Sequence, residues 1–599
     1  MQKINIINFM EHNMILSASG WRKVFAASGN EQDTTKEIGK TNTALCALIA
    51  QSFAEYMKSL PSLKGKTPYV LVGMDTRPTG AAISDVIVKV LVGLDLKVSF
   101  LGISSAPEIF TAACYADGFL YISASHNPIG HNGIKFGIND GGVLEGSETA
   151  KITASFKEKC ASPAAMEDAQ SLIEHSTLKN KEIQEVFNNS AADKKLAVER
   201  YARIMDHIVS GSPDAFVSEK LFADIREGLS CYPIDIVCDM NGSSRCLTID
   251  SSYIPLKGLG FLPFNNVAGQ IVHEIIPEPE NLVHTAQKIQ ELQSKGNKNA
   301  VLGYMPDCDG DRGNIVYWDE KLQKAVPLAA QTVFALSVLA EITSLIYQGV
   351  KTNKVAVCVN CPTSYRIDEL CKSLGVEVFR AEVGEANVVN LARKKRAEGY
   401  TVRILGEGSN GGNITDPSNV RDPVATVFAM VKLLALRKNG LYYLYLKACN
   451  KLENYRQDFT LRDIIENLPQ YTTTGVSEER AIMKVKSADK GLLKEKFRQI
   501  FLNQWEEKKS LLADYGIFSF DAVLTNGTNE LAAEDTWNNG NGGLKIRFFD
   551  ADSNYKAFIW MRPSGTEPVF RVMCDVKGLN SELEHLLLDW ERQIIQLAD

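Results

Sequence analysis

The chain has 599 residues, of which 45% are hydrophobic and 23% are charged, and this is the composition of an ordinary globular protein. Its length predicts roughly four domains of about 150 residues each. The net charge of -7 excludes a global basic field that would attract nucleic acid. An acidic protein that binds phosphate groups must therefore use local cations.

The sequence predicts neither a membrane span nor a secreted protein. The longest apolar stretch, QTVFALSVLAEITSLIYQGV, contains Glu341 and several hydroxyl groups, so it is predicted to be a buried core helix. The N-terminal residues carry Glu11 and His12 within their apolar part, which argues against a signal peptide. The twelve cysteines are scattered, and this pattern indicates reduced thiols and a cytoplasmic protein.

Three segments of the chain share one pattern. They begin at Tyr69, Ile234 and Lys354, and each is an apolar run that ends in a loop rich in Asp, Asn, Gly, Pro and Ser. A helix-like run follows, least clearly in the second segment, and another strand-like run comes after it. Strand, loop, helix and strand in this order indicate βαβ units with sheets covered on both faces. The threefold repeat predicts three similar α/β domains.

The last part of the chain has a different pattern. From about Tyr471, alternating strands lie between two helix-like runs, which predicts a smaller α+β domain. The polar stretch TNGTNELAAEDTWNNGNGG, residues 525–543, is predicted to be a mobile loop or an insertion. The predicted fold class is α/β, with three similar mixed α/β sheet–helix domains and the smaller C-terminal domain. The predicted domain ranges are 1–190, 191–322, 323–468 and 469–599.

A dense group of polar residues, YISASHNPIGHNGIKF, follows the first repeat's third strand-like run. No GxSxG elbow surrounds Ser125, so a serine-hydrolase triad has no support. A phosphorylated Ser125 would instead add a dianion that can complete a divalent-cation site. Lys135 can neutralise a transferred phosphoryl group or move a proton. The alternative is that Ser125 and His126 only cap a loop.

The stretch MPDCDGDRGN places Asp307, Asp309 and Asp311 at alternate positions. In an extended loop, side chains two residues apart point the same way, so three carboxylates are predicted to converge. Like charges repel unless a cation lies among them, and hard oxygen ligands suit Mg²⁺ or Mn²⁺. An EF-hand is excluded, because its glycine and glutamate positions are Arg312 and Trp318. Three solvated aspartates remain the alternative.

Two further loops carry polar groups that suit a phosphorylated sugar. In LGEGSNGGNI, Glu407 and Ser409 offer a carboxylate and a hydroxyl to sugar hydroxyls, although a flexible loop is equally compatible. The stretch RPSGTEPVFR combines a guanidinium, two hydroxyls and a glycine, which suits a phosphate dianion; its residues are Arg562, Ser564, Gly565 and Thr566. Arg571 either assists or pairs with Glu567. The alternative is a tight turn between two strands.

These four loops, in this order, resemble the α-D-phosphohexomutase superfamily, the phosphoglucomutase and phosphomannomutase enzymes. SASHNP resembles the phosphoserine loop, DCDGDR the metal loop, GEGSNGG the sugar-binding loop and RPSGTEP the phosphate-binding loop. One loop falls in each predicted domain. The resemblance implies four domains around a central cleft. It also implies an enzyme that interconverts hexose 1-phosphate and hexose 6-phosphate, with glucose as the first candidate sugar and mannose as a further one.

The resemblance also implies roles for particular residues. Ser125 would be the phosphorylated serine, and one Mg²⁺ per chain would lie between its phosphate and Asp307, Asp309 and Asp311. The implied catalytic residues are Ser125, Lys135, Arg22 of the SASGWR segment, His126 and Arg312. Glu407 and Ser409 would bind the sugar. The residues implied to bind the phosphate that is not reacting are Arg562, Ser564, Gly565, Thr566 and Arg571.

The remaining implications concern ligands and alternatives. Glucose 1,6-bisphosphate is the implied activator, and the partner is a small phosphosugar rather than nucleic acid or membrane, bound by a monomer or dimer. The sugar loop departs from the family pattern at Asn410, and the segment AEVGEANV, residues 381–388, lacks the Lys or Arg that often follows its glycine. A phosphoglucosamine or phosphopentose mutase, a metal-dependent phosphatase and a non-catalytic phosphosugar-binding protein therefore stay open.

Overall fold

The structure is a computed structural model that describes residues 14–17, 20–409, 411–534, 536–564 and 569–599. Its strands form four main sheets, in agreement with the predicted α/β class. The chain divides into two compact units. The first unit comprises Met1–Trp318, Lys324–Pro327 and Pro417–Val427, and the second comprises Asp319–Gln323, Leu328–Asp416 and Phe428–Asp599. The first unit carries the first two sheets, and the second unit carries the other two.

The first sheet has six strands in the order β1-β2-β6-β5-β3-β4. These strands are β1 Ile15–Ser17, β2 Gly20–Val24, β3 Tyr69–Met74, β4 Lys97–Ile103, β5 Gly118–Ile122 and β6 His131–Ile138. The accompanying helices are α1 Gly39–Ser59, α2 Gly80–Gly93, α3 Ala106–Ala112, α4 Gly146–Ala161, α5 Ala165–Ser176 and α6 Asn180–Ser210. The apolar strand β3 lies parallel to both β4 and β5, whereas β5 and β6 are antiparallel. Ser125 therefore lies in the loop that joins β5 to β6.

The second sheet has the order β11-β10-β9-β7-β8. Its strands are β7 Asp235–Asp239, β8 Gly260–Phe264, β9 Ala300–Pro306, β10 Gly313–Asp319 and β11 Lys324–Pro327. The helices in this part of the chain are α7 Ala215–Cys231, α8 Asp250–Leu256 and α9 Val283–Ser294. The weak helix signal of the second repeat corresponds to α8, which has only seven residues and contains Pro255. The antiparallel hairpin of β9 and β10 carries the three aspartates at its turn.

The third sheet has the order β13-β12-β14-β15. Its strands are β12 Val355–Asn360, β13 Glu377–Ala381, β14 Thr401–Gly406 and β15 Ile414–Thr415. The helices around and after it in the chain are α10 Ala330–Tyr347, α11 Arg366–Ser373, α12 Glu385–Ala397, α13 Pro423–Ala435, α14 Leu441–Ala448 and α15 Leu461–Asn467. Cys358 is in β12 and Cys361 follows it, both buried and free, as expected for thiols at the end of a buried strand.

The fourth sheet has the order β16-β22-β21-β20-β18-β19, and β17 pairs with β22. Its strands are β16 Tyr471–Thr473, β17 Ile482–Lys484, β18 Ser519–Asn526, β19 Asn529–Ala532, β20 Leu544–Phe549, β21 Tyr555–Pro563 and β22 Val569–Lys577. Two helices accompany it, α16 Lys490–Asp514 and α17 Ser581–Ala598. This arrangement matches the predicted C-terminal α+β domain.

Residues 525–543, which were predicted to be a mobile loop or an insertion, contain a tight hairpin and a buried tryptophan in their described part. Asn526 pairs with Asn529 across a tight hairpin, and Gly527 in the turn adopts a φ of +55°, which suits glycine. Trp537 packs into the hydrophobic core of the fourth sheet. The polar composition of the stretch did not indicate the buried Trp537 or the hairpin turn at Gly527.

The predicted domain ranges can be compared with the elements. Residue 190 lies inside the 31-residue helix α6, and residue 322 lies before β11, which belongs to the second sheet. Residue 468 lies between α15 and β16. The four ranges therefore stay predictions.

Helix α10 is the core helix that the sequence predicted. Among the described residues it is the one helix long and apolar enough to cross a membrane, and 78% of it is buried inside the protein. Its acidic residue, Glu341, is buried with two cations. Glu341 Oε2 lies 2.8 Å from Arg403 Nη2, and Oε1 lies 2.5 Å from Lys432 Nζ. The single negative charge that interrupts the apolar stretch therefore offsets part of the positive charge of two neighbouring buried side chains.

Substitution of Glu341 by Gln should destabilise the protein strongly. We expect Glu341→Gln to lower the free energy of unfolding by about 3 kcal/mol, because Arg403 and Lys432 lose their buried counter-charge. Urea unfolding followed by far-ultraviolet circular dichroism measures this change. Glu398→Gln, which removes an exposed pair with Lys395, is the matched control and should leave the stability almost unchanged. Equal effects of the two variants would contradict the expectation.

Candidate active site

Ser125 is held in a strained position next to a carboxylate. Its side chain is almost completely buried, with 2% of the residue exposed, and its Oγ donates to Asp307 Oδ2 at 2.8 Å. Its backbone lies in the left-handed region, with a φ of +53°. A non-glycine residue in this region costs on the order of 1–3 kcal/mol. Such strain persists only where surrounding contacts enforce it.

Arg77, which the sequence analysis did not select, supplies these contacts. Its guanidinium donates, at distances of 2.5 to 3.1 Å, to the backbone carbonyls of Ser125, Asn127, Pro128 and His131. Asp75 lies 3.3 Å from Arg77 Nε and balances the charge. One buried side chain therefore binds most of the loop that follows Ser125. One sequence feature could have pointed to Arg77: the polar loop DTRPTG follows β3 and lies at the same edge of the sheet as the serine loop.

The three aspartates converge as predicted, but through a tight turn rather than an extended loop. One carboxylate oxygen of each lies within 4.8 Å of the others. The turn is closed by a hydrogen bond from Gly310 N to Asp307 O. Gly310 has a φ of +69°, and a Cβ there would lie 2.4 Å from the side chain of Arg245. Both the conformation and the packing therefore require glycine.

Two cations offset part of the negative charge. Lys135 Nζ lies 2.8 Å from Asp309 Oδ2 and 3.2 Å from Asp311 Oδ2, and Arg421 Nη2 lies 3.2 Å from Asp311 Oδ1. Burial raises the pKa of Asp311, but Arg421 and Lys135 outweigh burial and hold that pKa below its usual value. Burial, and then Asp309 and Asp311, raise the pKa of Asp307 well above its usual value. Lys135 and Arg421 thus offset the repulsion at Asp311 but not at Asp307.

The residues present fit a divalent cation. Asp309 Oδ1 is buried and accepts no hydrogen bond from any residue in the described part of the chain. A buried acceptor of this kind is costly unless another group satisfies it. Three buried carboxylates with one unsatisfied oxygen are a donor set for a hard cation such as Mg²⁺.

Further cations surround the serine. Arg22 is on β2 opposite Gly133 of β6, and Arg312 directly follows the aspartate turn. His126 Nδ1 lies 3.4 Å from Ser125 Oγ. The pKa of His126 lies well below its usual value, first because of Arg312, and then because of burial and Arg22. This collection of positive charge next to a buried serine favours an anionic group at Ser125 Oγ.

In the second unit, the two residues predicted to bind sugar lie together. Asn360 Nδ2 donates to Glu407 Oε1 at 3.1 Å and to Ser409 Oγ at 3.2 Å. Thr363 Oγ1 donates to Asn360 Oδ1 at 2.6 Å, and Gly384 N donates to Glu407 Oε1 at 2.8 Å. The sequence prediction missed Asn360 and Thr363. Their position in the sequence could have identified them, because Asn360 is the last residue of β12 and Thr363 lies in the loop after it. This loop follows the first strand of the third repeated unit.

The phosphate-binding motif lies at the connection between β21 and β22. Arg562 is near the end of β21 and stands directly opposite Arg571 of β22. Ser564 N donates to the carbonyl of Val569, which links the two described ends of the motif. Gly565 and Thr566 lie outside the described residues, and so does Glu567, the suggested partner of Arg571.

The two arginines of this motif have different surroundings. Arg562 Nε lies 2.9 Å from Glu382 Oε1. Arg571 Nη1 donates to Val476 O at 3.4 Å, a long bond to backbone. Of the two, Arg562 is the arginine that the structure fixes through a charged partner.

Comparisons with known proteins agree with this architecture. Residues 22–162 match the family described as phosphoglucomutase/phosphomannomutase, alpha/beta/alpha domain I, and residues 336–452 match domain III of the same family. A phosphoglucosamine mutase of Natranaerobius thermophilus is 24% identical over 92% of this chain and 95% of its own length. A phosphoglucosamine mutase of Sulfurovum sp. is 25% identical over 76% of this chain and 88% of its own.

A solved structure supports the fold. Paramecium pp63/parafusin, a phosphoglucomutase, has a TM-score of 0.61 at 16% identity over 97% of this chain and 95% of its own. The sequence matches identify an isomerase of the phosphomutase class. Residues 22–162 and 336–452 match two domains of the phosphoglucomutase/phosphomannomutase family, and these matches support the α-D-phosphohexomutase superfamily that the four loops resemble.

Replacement of Arg77 should impair activity without unfolding the protein. We expect Arg77→Lys to lower kcat of isomerisation by about 100-fold, because a lysine cannot hold four carbonyls and small displacements of reacting groups have costs of this size. Steady-state kinetics measures the loss, and circular dichroism checks the fold. Arg226→Lys, at a half-exposed ion pair with Glu219, should keep wild-type kcat. Unchanged turnover in Arg77→Lys would contradict the role given to Arg77.

Proposed function

We propose that this protein is a phosphohexomutase that interconverts hexose 1-phosphate and hexose 6-phosphate through phospho-Ser125 and a hexose 1,6-bisphosphate. The observation that carries the proposal is the buried Ser125 Oγ at 2.8 Å from Asp307, within a cluster of three carboxylates. A binding protein has no need of a strained, buried hydroxyl in contact with such a cluster. A phosphatase would need water at the same serine, and its burial opposes free access of water.

The chemistry follows from the residues around Ser125. The bond between phosphorus and Ser125 Oγ breaks as a bond forms to the free hydroxyl of the hexose phosphate. The proton of that hydroxyl passes to a neighbouring base. His126 is neutral at neutral pH because its pKa is depressed, and Lys135 is the other candidate for the general acid or base.

Charge stabilisation is the second requirement of phosphoryl transfer. Arg22 and Arg312 provide cations next to Ser125. We propose that Asp307, Asp309 and Asp311 hold one Mg²⁺ per chain, which, when bound, neutralises charge on the phosphoryl oxygens. Lys135 then keeps Asp309 and Asp311 in place.

Recognition of the remainder of the substrate is assigned to the second unit. Glu407 and Ser409 would bind the sugar hydroxyls, and the phosphate that is not reacting would bind to Arg562, Ser564, Gly565, Thr566 and Arg571. Because the bisphosphate must present each phosphate to Ser125 in turn, these groups must accept two orientations of the sugar. Glucose 1,6-bisphosphate would start the cycle by phosphorylating Ser125.

We propose glucose as the sugar, with mannose as a further substrate. A specific observation favours a second candidate, glucosamine, because the relatives that align with most of this chain are named phosphoglucosamine mutases. A monomer or dimer in the cytoplasm is proposed, and the twelve free cysteines support a reducing compartment.

A coupled assay of three sugar phosphates tests the proposed function. With Mg²⁺ and a trace of glucose 1,6-bisphosphate, we expect glucose 1-phosphate to give its 6-phosphate with a kcat/KM at least about tenfold above mannose 1-phosphate and glucosamine 1-phosphate, and EDTA to abolish turnover. The order of kcat/KM decides the sugar. If glucosamine 1-phosphate is fastest, the amino sugar replaces glucose. No isomerisation of any of the three would refute the mutase.

Removal of the Ser125 hydroxyl should abolish this activity. We expect Ser125→Ala to lose at least about a thousandfold in kcat, because no other group on the described loop offers a hydroxyl at Asp307. Circular dichroism should remain that of the wild type. Ser294→Ala, on the exposed end of α9, is the control and should isomerise normally. Turnover near the wild-type level in purified Ser125→Ala would show that Ser125 is only a loop residue.

A further inference from the structure

Glu382 is a buried carboxylate that the proposed chemistry leaves without a role. It follows β13 in the segment 381–388, and only 6% of the residue is exposed. Its Oε2 accepts hydrogen bonds from Thr525 Oγ1 and Gly543 N. Its Oε1 accepts from Val383 N and lies 2.9 Å from Arg562 Nε. A carboxylate with this many partners is fixed in position and not merely tolerated in the interior.

The Gly- and Asn-rich stretch 525–543 forms the surroundings of Glu382. Besides Thr525 and Gly543, the carbonyl of Gly527 accepts a hydrogen bond from Glu382 N. A Cβ on Gly543 would lie 2.7 Å from Thr525 Oγ1 and 3.3 Å from Glu382 Oε2, so only glycine allows this approach. Thr525, Gly527 and Gly543, all from this stretch, therefore hydrogen-bond to Glu382.

A buried lysine holds the end of this stretch. Lys494 of α16 donates from Nζ to Asn539 Oδ1 at 2.7 Å and to the carbonyls of Gly540 and Gly542. These contacts fix the turn immediately before Gly543. The position of the Gly543 N–H, and through it the position of Glu382, thus depends on a side chain from the helix behind the fourth sheet.

Glu382 determines which donors of Arg562 face outward. A guanidinium has five N–H groups in a rigid, planar fork. The contact of Glu382 with Nε is an ion pair at 2.9 Å without hydrogen-bond geometry. It leaves the edge formed by Nη1 and Nη2, and such an edge can bind a phosphate through two parallel hydrogen bonds. The side chain of Arg562 is 27% exposed, so a ligand can reach it.

The same loop also holds the sugar-binding carboxylate. The amide of Val383 donates to Glu382, and the next amide, that of Gly384, donates to Glu407 Oε1 at 2.8 Å. Two consecutive peptide groups therefore set the separation between the carboxylate that orients Arg562 and the carboxylate predicted to bind sugar. Any displacement of this loop moves both.

We propose that Glu382 is a positioning residue for phosphosugar recognition, which orients Arg562 toward the substrate phosphate and fixes its distance from Glu407. This role rests on the proposed function, because it assumes that Arg562 binds a phosphate. With this role, the segment 381–388 contributes to substrate binding although it lacks the Lys or Arg that often follows its glycine. The segment supplies a carboxylate, Glu382, that positions Arg562 of the fourth sheet.

The test compares Glu382→Gln with the wild type in binding and in turnover. The amide keeps an oxygen for Thr525 or Gly543 but removes the charge that orients Arg562. We expect KM for the hexose phosphate and Ki for inorganic phosphate to rise together by about tenfold, with kcat changed less than about threefold. A purely structural role would lower the active fraction and leave KM and Ki unchanged. Glu398→Gln should match the wild type in all three quantities.

A double-mutant cycle with Arg562→Lys shows whether Glu382 acts through Arg562. If it does, adding Glu382→Gln to Arg562→Lys should raise Ki for phosphate by less than about twofold. Thr525→Val, which removes a partner of Glu382 but keeps the Arg562 contact, should raise Ki by about twofold to threefold. Unchanged Ki in Glu382→Gln, or additive effects in the double variant, would overturn the proposal.

Calorimetric titration with inorganic phosphate separates the two proposals. It measures the phosphate site of the second unit in the Ser125→Ala variant, which has no turnover to interfere. Phosphate binding that weakens in Glu382→Gln supports the positioning role even if no sugar is isomerised. Absence of phosphate binding by the wild-type protein would overturn the positioning role, whereas isomerase activity would still uphold the mutase.

Discussion

The mutual repulsion of three buried carboxylates is the constraint on which the first unit depends. Asp307, Asp309 and Asp311 lie within 4.8 Å of one another in an environment where like charges interact strongly. The chain offsets this repulsion with cations from distant segments: Lys135 from β6 and Arg421 from the stretch that returns after the third sheet. Residues 417–427, which include Arg421, belong to the first unit. Ser125 contacts the one aspartate that neither cation contacts.

The second unit surrounds its two carboxylates mainly with neutral donors. Glu407 receives hydrogen bonds from an amide side chain and a peptide N–H, and Glu382 receives them from a hydroxyl and two peptide N–H groups. Glu382 also lies 2.9 Å from Arg562 Nε. The first unit therefore suits a ligand that brings a cation and a phosphoryl group, whereas the second unit suits hydroxyl groups and a phosphate on an oriented arginine.

The sequence predicted the parts of the fold and site whose signal is local. The βαβ repeats, the core helix around Glu341, Ser125 and the alternate aspartates all follow from spacing within a few residues. Arg77, Asn360 and Glu382 were missed, because each is a single polar residue whose partners lie tens to more than a hundred residues away. The prediction of an extended aspartate loop was wrong, and the prediction for residues 525–543 missed the hairpin and the buried Trp537. The reason is related, because the turn at Gly310 and the burial of Trp537 are decided by packing against other segments. The domain ranges depend on the same long-range packing.

The left-handed backbone of Ser125 has a consequence for the rate of the reaction. On the proposed function, its conformational cost is met when the protein folds, by the hydrogen bonds of Arg77, and it would be the same before and after each phosphoryl transfer. The loop would then keep its shape when the serine gains or loses its phosphate. The activation barrier then contains little reorganisation of the nucleophile's own backbone, and the entropy of ordering this loop is absent from the catalytic cycle. A serine in a relaxed, mobile loop would have to lose that entropy twice in every turnover, once for each phosphate of the intermediate.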